Sequence, residues 1–407
     1  MATKSVCVIG SGITGLSLAN NLAQSDVKVL LIDRNPYPGG RAVHYGCKAT
    51  DSCVHCGVCL ARDAMVQFQD NSCMEMLLAS IPRAIRRNSD GSFEINVETL
   101  PNPIDWQKCI ACKLCQEVCP ENAVKRVEGW KFYIDDTCND CGKCVEVCPV
   151  SAINLEKNST TETLVADSIV VSTGFTPFDP RVNRKWGYGK NPRVITGSDL
   201  ERLFYEEKYL PEESRGTTPK IAFIQCVGSR NMMEGKAQCS RICCAYALRM
   251  AGRIKQEQPD AAIDFYYMDI QRFGKNFENF WRTVADKINF IRSNPITIKI
   301  DAQGKPIIRF ESIPGNKCAE AAYDLVVLSH GLWPSADAAE FAEMFNLDLD
   351  VNGFFRVPSY PPLKGVGGMS SGIFIAGTCK GPMNIEECVD DAAAVSEQVL
   401  EFLGEKV

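Results

Sequence analysis

Runs of apolar residues separated by glycine turns set the rhythm of the chain. "SVCVIGSGITGLSLANNLAQSDVKVLLIDRN" (5–35) reads as an apolar strand, a glycine turn, a helix whose apolar positions recur periodically, a second apolar strand and an acidic residue. Short runs without polar alternation predict strands covered on both faces, as in a parallel sheet flanked by helices. The pattern recurs in "KIAFIQC" and "AIDFYYMDI". Between them lies amphipathic material, "SRICCAYALRM", where Ile242, Ala245 and Leu248, with Ile254 just beyond, recur at roughly helical spacing. Near the end "GIFIAG" leads into a long helix. An α/β protein with two doubly wound units is predicted.

The first turn carries chemistry. Gly10, Gly12 and Gly15 form G-x-G-x-x-G between strand and helix, and Asp33 closes the second strand. Gly10 permits the tight turn, Gly12 lets the backbone approach a pyrophosphate, and Gly15 allows close helix–strand packing. Asp33 stands about 20 residues on, where a carboxylate can accept hydrogen bonds from a ribose. "DRNPYPGGRA", with Arg34, Gly39, Gly40 and Arg41, resembles the segment near the FAD in flavoproteins of the glutathione-reductase type. "IVVSTGFTPFDP", with Thr173 and Gly174, resembles that group's crossing segment. "GIFIAGTCKGPMNIEE", with Pro382, Met383, Asn384 and Ile385, resembles its closing approach to the flavin ring. Gly377-Thr378 replaces the usual Gly-Asp there, so the customary Asp contact to the ribityl chain is absent. FAD is the expected cofactor.

Cysteine use changes the picture more than any other feature of composition. The 407 residues include 21 cysteines and only three histidines. In a chain this long, without a signal-peptide pattern, such cysteines point to metal or redox chemistry rather than a disulfide framework. Few imidazoles disfavour zinc and copper sites, and thiolate sites for iron–sulfur clusters are the leading expectation. The net charge of −6 argues against a nucleic-acid partner. No apolar run approaches the ~20 residues of a membrane span. A soluble, cytoplasmic location is expected, with docking onto a membrane protein still open.

"CIACKLCQEVCPENAV" and "CNDCGKCVEVCPVSAI" are two copies of C-x2-C-x2-C-x3-C-P. In such a pair, three cysteines of one run and the fourth of the other hold each 4Fe-4S cluster. Cys109, Cys112, Cys115 and Cys148 are assigned to one cluster, and Cys138, Cys141, Cys144 and Cys119 to the second. Zinc is the alternative, and the duplicated run ending in proline disfavours it. The expected domain boundaries are 1–100, 156–215 and 321–407 for the FAD domain, 101–155 for this inserted ferredoxin-like α+β module, and 216–320 for a second nucleotide-type domain.

Two further cysteine groups remain. "GCKATDSCVHCGVCLARD" carries Cys47, Cys53, Cys56 and Cys59. C-x2-C-x2-C suggests a further 4Fe-4S cluster with Cys47 or Cys73 as fourth ligand; a redox-active dithiol and plain thiols are the alternatives. In the second unit, the turn after "KIAFIQC" lacks the G-x-G-x-x-A of a nicotinamide site and keeps only Gly228 nearby. Cys226, Cys239, Cys243 and Cys244 stand there instead. A shared helix face for Cys239 and Cys243, and thiolates favoured by the helix dipole, Arg230 and Arg241, are expected. His330, in "LSHGLWPS", is expected in turn structure around the FAD rather than in acid–base work.

"IQCVGSR", the spacing C-x12-C-x3-C-C, "MDIQRFGKNFENFW", the ferredoxin-like insertion and "AGTCKGPMNIEE" together resemble the family of the A subunit of heterodisulfide reductase. That group includes the A subunit of the quinone-interacting membrane-bound oxidoreductase and one subunit of class II benzoyl-coenzyme A reductase complexes. The resemblance spans nearly the whole chain. It implies a thioredoxin-reductase-like, two-dinucleotide-domain FAD core and a non-standard 4Fe-4S cluster on Cys226, Cys239, Cys243 and Cys244. It also implies partner redox subunits: heterodisulfide reductase B/C-like proteins, hydrogenase- or dehydrogenase-linked iron–sulfur subunits, and a homodimer within a larger complex. Longer members add an N-terminal module and a C-terminal ferredoxin, so a short form is expected here. The resemblance implies flavin-based bifurcation as an option; bifurcating members carry Lys near the flavin where this chain has Met383, and that departure weighs against it. The alternative functions are a self-sufficient NAD(P)H oxidoreductase, like the cluster-bearing small subunit of glutamate synthase, and a flavin-linked disulfide reductase using Cys53/Cys56 or Cys243/Cys244. A scaffold whose flavin never turns over is a third.

Overall fold

The computed structural model describes the chain except for residues 1–3, 26, 70–72, 157, 215, 217, 233–234, 273, 275–276, 313–316, 358–371 and 405–407. Part of the "MDIQRFGKNFENFW" stretch therefore lies outside the described residues.

The apolar runs become central strands. β1 (Ser5–Ile9), α1 (Ile13–Ala23) and β2 (Lys28–Ile32) form the first βαβ unit, and α2 (Val58–Gln69) leads to β3 (Met74–Leu77). β4 (Ser80–Arg87) and β5 (Phe93–Thr99) run out antiparallel to the insertion, and β8 (Thr160–Ala166) returns beside β5. Within the insertion, α3 (Leu114–Glu117), β6 (Val124–Arg126), β7 (Phe132–Ile134) and α4 (Lys143–Glu146) surround a small core of Ile104, Val124, Phe132 and Ile153. β9 (Ser168–Val171) then re-enters the first sheet.

The second unit follows. It comprises β10 (Phe175–Pro177), β11 (Val194–Thr196), α5 (Gly197–Tyr205), β12 (Lys220–Val227), α6 (Cys243–Glu257), β13 (Ala262–Tyr267), α7 (Phe277–Val284) and β14 (Asn289–Arg292). An antiparallel sheet, β15 (Thr297–Ile300), β16 (Pro306–Ser312) and β17 (Lys317–Ala322), precedes β18 (Leu325–His330) and β19 (Leu332–Pro334). After α8 (Ala338–Phe345), β20 (Ile373–Ile375) and α9 (Ile385–Leu403) close the first unit.

Two five-stranded parallel sheets result, in the orders β20-β9-β1-β2-β3 and β11-β18-β12-β13-β14. The inner strands are almost wholly buried, as continuous apolar runs require, while the edge strands β3 and β14 are only partly covered. β10 and β19 pair antiparallel where the chain crosses between the units. The sheet boundaries differ from the sequence expectation: the ranges expected for the FAD domain contain β11 and β18, yet both pair in the second sheet. The reason is physical. A short strand buried on both faces carries no signal of which sheet receives it.

Candidate flavin cavity and cysteine sites

A cavity of about 670 Å³ opens at the C-terminal ends of the first sheet's strands, where parallel sheets bind nucleotides. Gly10, Gly12, Asp33, Arg34, Gly39, Gly40, Arg41, Thr173, Gly174, Thr378, Met383, Asn384 and Ile385 line it. Gly15 lies beneath, where a Cβ would overlap the Gly10 carbonyl oxygen. Gly377 packs against Thr14, and its N–H donates to Asp391 Oδ2 at 2.7 Å. Pro382 is not among the lining residues; its carbonyl accepts from Arg241 Nη1 at 3.2 Å.

Asp33 is already engaged. Oδ2 accepts from the Ser11 N–H (2.6 Å) and hydroxyl (2.7 Å), and Oδ1 from Asn35 N–H (2.8 Å). It ties the glycine turn to β2. Arg34 pairs with Asp337, and Arg41 Nε donates to the Phe175 carbonyl at 3.1 Å. Asn384 caps α9, accepting from Glu387 N–H in a reciprocal box. The cavity's size, its glycine cradle and the N-terminus of α1, which no side chain caps among the described residues, fit a dinucleotide such as FAD.

One charged feature of this wall is not legible in the sequence. Lys48 and Glu201 both line the cavity and pair at 2.6 Å with side chains only 2% and 8% exposed. Lys48 Nζ also donates to Gly46 O at 3.0 Å. Lys48 stands beside Cys47, and nothing in the sequence marks Glu201 as its partner. His330 lies at the end of β18, not in a turn, and is buried against Ser198, with Nε2 3.0 Å from the hydroxyl. Burial depresses its pKa to about 4, which leaves it neutral near pH 7.

In the insertion the two cysteine loops share one backbone design. Ala111 and Asp140, each two residues past the first cysteine, have φ +55°. Lys113 and Gly142, two further on, have φ +72° and +77°, and α3 and α4 begin at the next residue. Cys119, Cys138, Cys141 and Cys144 surround one small cavity. Cys109 and Cys115 lie in the insertion core with Cys148, and Cys112 is exposed nearby. N–H groups point at sulfur: Ala123 to Cys119 (3.2 Å), Asp140 to Cys138 (3.4 Å) and Ala152 to Cys148 (3.3 Å). Such donors favour a charged thiolate ligand. Among the described residues no three ligand side chains converge as they would on a single ion.

Cys226, Cys239, Cys243 and Cys244 also surround one small cavity, with Arg230, Arg241, Asp269 and Gln271 on its rim. One expectation fails in detail. Cys239 is not on the helix face of Cys243, because Arg241 at φ +60° breaks the helix and α6 starts at Cys243. The loop still delivers the sulfur, with Arg241 N–H donating to Cys239 Sγ at 3.3 Å. At two of these thiols burial acts against the arginines. Burial pushes Cys226 up to about 12 and Cys243 well above the ordinary thiol value. Arg230 is engaged by Asp269, and Arg241 by Glu387 of α9 at 2.8 Å. Four convergent sulfurs still suit a cluster, whose binding would have to expel the thiol protons. Gly228 is kept by packing, since a Cβ there would overlap the Phe178 ring.

Of the N-terminal group, Cys56 lines the large cavity, while Cys47, Cys53 and Cys59 are exposed. Cys73 lies elsewhere. Its carbonyl accepts from Val29 N–H at the start of β2, the end of the sheet opposite the cavity.

Residues 102–155 match the model of a 4Fe-4S dicluster domain, and residues 8–57 that of an NAD(P)-binding Rossmann-like domain. The A subunit of the H(2):CoB-CoM heterodisulfide,ferredoxin reductase of Methanothermobacter marburgensis is 31% identical over 96% of this chain and 62% of its own length. The A iron-sulfur subunit of the CoB–CoM heterodisulfide reductase of Methanocaldococcus jannaschii is 32% identical over 97% and 64%. The chain is homologous to the A subunit of heterodisulfide reductase. It spans less than two thirds of the length of these relatives. Among solved structures, T. acidophilum thioredoxin reductase superposes with a TM-score of 0.55 at 14% identity, covering 98% of both chains. The A. fulgidus NAD-dependent persulfide reductase gives 0.53 at 16%, covering 99% of this chain and 59% of its own. The fold is thus the thioredoxin-reductase-like pair of dinucleotide domains seen in flavoproteins, here with a dicluster insertion.

Proposed function

We propose that the chain is an electron-transfer oxidoreductase component of the heterodisulfide reductase type. In this reading it holds FAD in the large cavity, two 4Fe-4S clusters in the insertion and a non-standard cluster on Cys226, Cys239, Cys243 and Cys244. It works in a soluble, cytoplasmic complex with iron–sulfur subunits of the B/C, hydrogenase or dehydrogenase kind. The observation that carries the reading is the turn after β12. A nicotinamide-binding domain needs a glycine cradle there, and this chain places four cysteines at that position, while Arg241 and Ile242 of the same loop line the flavin cavity.

Bound flavin would supply the exchange between electron pairs and single electrons that thiolate clusters cannot perform. The protein's part is to hold and insulate. Gly10, Gly12 and the N-terminus of α1 would receive the pyrophosphate, with Arg41 and Thr173-Gly174 flanking. Arg241 links the cysteine loop to α9 through Pro382 and Glu387, which fixes one site against the other. With Met383 on the wall instead of a lysine, Lys48 is the buried cation of the cavity. Whether the flavin bifurcates electrons is decided by its reduction potentials.

Cys243→Ser tests the assignment. Anaerobic preparations of this variant should lose about four irons per chain while keeping the insertion's iron and the flavin. Unchanged iron with lost thiol reactivity would favour a flavin-linked disulfide reductase instead.

A further inference from the structure

The irregular segment before α2 repeats the backbone of the two insertion loops. Counting from Cys53, the residue two on is His55 at φ +49°, the residue four on is Gly57 at φ +75°, and α2 begins at the next residue, Val58. Counting from Cys109 or Cys138 gives the same order of left-handed positions and the same helix start. A non-glycine residue in the left-handed region is uncommon and costs energy unless its surroundings impose it. His55 N–H donates to Cys53 Sγ at 3.4 Å, as Asp140 N–H does to Cys138 Sγ at the same distance. The third cysteine, Cys59, falls six residues on, in the first turn of its helix, where Cys115 and Cys144 fall in theirs.

The loop is also held in place from outside. α6 presents Arg249, Arg253 and Gln256 on one face. Arg249 Nε donates to Val54 O at 3.0 Å and Nη2 to His55 O at 2.9 Å. Arg253 reaches Ala49 O, and Gln256 Nε2 reaches Asp51 Oδ1 at 3.1 Å. On the other side Gly57 packs on Ile385 at the start of α9. Two walls of the flavin cavity thus grip the loop, and Cys56 and Arg249 both line that cavity.

We propose that Cys53, Cys56 and Cys59 form a third ferredoxin-type cluster loop that holds a 4Fe-4S cluster at the rim of the flavin cavity, with Cys47 as the fourth ligand. Cys47 lies between the cavity-lining residues Tyr45 and Lys48, whereas Cys73 is at the far end of the sheet. Arg249 is the positioning residue. It fixes the left-handed turn through two carbonyls and sets a guanidinium beside the loop thiols. This inference rests on the iron–sulfur reading of the chain and adds a metal site that the insertion does not contain.

The test uses the full chain, purified and reconstituted anaerobically with iron and sulfide. Iron and acid-labile sulfide are counted for wild type, Cys53→Ser, Cys59→Ser, Cys47→Ser, Cys73→Ser and an insertion variant, Cys109→Ser. Cys53 and Cys59 are exposed, so their serine variants should fold, with retained insertion iron as the control. The expectation is a loss of about four irons per chain for Cys53→Ser and Cys59→Ser, disturbed occupancy for Cys47→Ser, and no change for Cys73→Ser. Arg249→Gln should shift the midpoint of that cluster's redox titration and speed proteolysis of the 47–56 segment in metal-free chain, with Arg249→Lys restoring part of both. Unchanged iron in Cys53→Ser and Cys59→Ser, with Cys109→Ser still losing iron, overturns this inference and leaves the proposed function intact. No iron loss in any of these variants overturns both.

Discussion

Lys48→Met removes the cation from a buried pair and leaves the Glu201 carboxylate in an apolar wall. The two side chains are 2% and 8% exposed and 2.6 Å apart, so bulk water screens neither. Breaking such a pair by deleting one partner costs about 3–5 kcal/mol, because the remaining charge is uncompensated. Replacing both partners by apolar residues of similar volume is close to neutral. Lys48→Met should therefore lose about 3–5 kcal/mol in urea unfolding of the metal-free chain at pH 7, and Lys48→Met/Glu201→Leu should recover most of it. The pH sign is fixed by burial, which raises the Glu201 pKa above the ordinary carboxylate value. The folded state then binds more protons than the unfolded one between the two pKa values, so stability falls as pH rises through that window. Removing Lys48 raises the folded value further. The variant's deficit should shrink as pH is lowered toward the ordinary carboxylate value. A loss under about 1 kcal/mol at pH 7, or a double variant worse than the single, would mean that Lys48 does not offset the buried Glu201 charge.

Other consequences are equally direct. Gly15→Ala would force a Cβ into the Gly10 carbonyl, so purified variant chain should carry little FAD by absorbance. Gly228→Ala places a Cβ in the Phe178 ring at a left-handed position. Its thermal midpoint should fall by several degrees while flavin content holds, since the glycine serves packing and not a phosphate. Cys148→Ser should remove only the iron of the cluster assigned to Cys109, Cys112 and Cys115, leaving the other insertion signal in EPR. Loss of both signals would overturn the crossed pairing of the two runs.

What the sequence reveals, it reveals through local geometry. A glycine turn between strand and helix is a short-range arrangement, and so is a run of cysteines at fixed spacing. Both are legible without any long-range contact. The convergence of Cys226 with the 239–244 group is readable because a strand end and the following helix start are neighbours in any βα unit. Cys239 eludes the pattern because apolar periodicity extends the helix backward past Arg241, whose left-handed backbone no pattern announces. β11 and β18 fall to the wrong sheet on sequence grounds because a fully buried strand does not record its sheet. The arginines near the second cysteine site are visible, but their engagement by Asp269 and Glu387 is not, nor is the burial that raises the Cys226 and Cys243 thiols. Lys48 and Glu201 meet only in three dimensions.

A second domain with a cluster site where a nicotinamide would lie takes no hydride from a diffusing nucleotide. The decisive experiment adds NADH or NADPH to the anaerobic, flavin-loaded chain alone while flavin absorbance is followed. Neither nucleotide should bleach the flavin, whereas a low-potential single-electron donor should. Rapid bleaching by either nucleotide would return a nicotinamide site to the second domain and remove the case for the cluster.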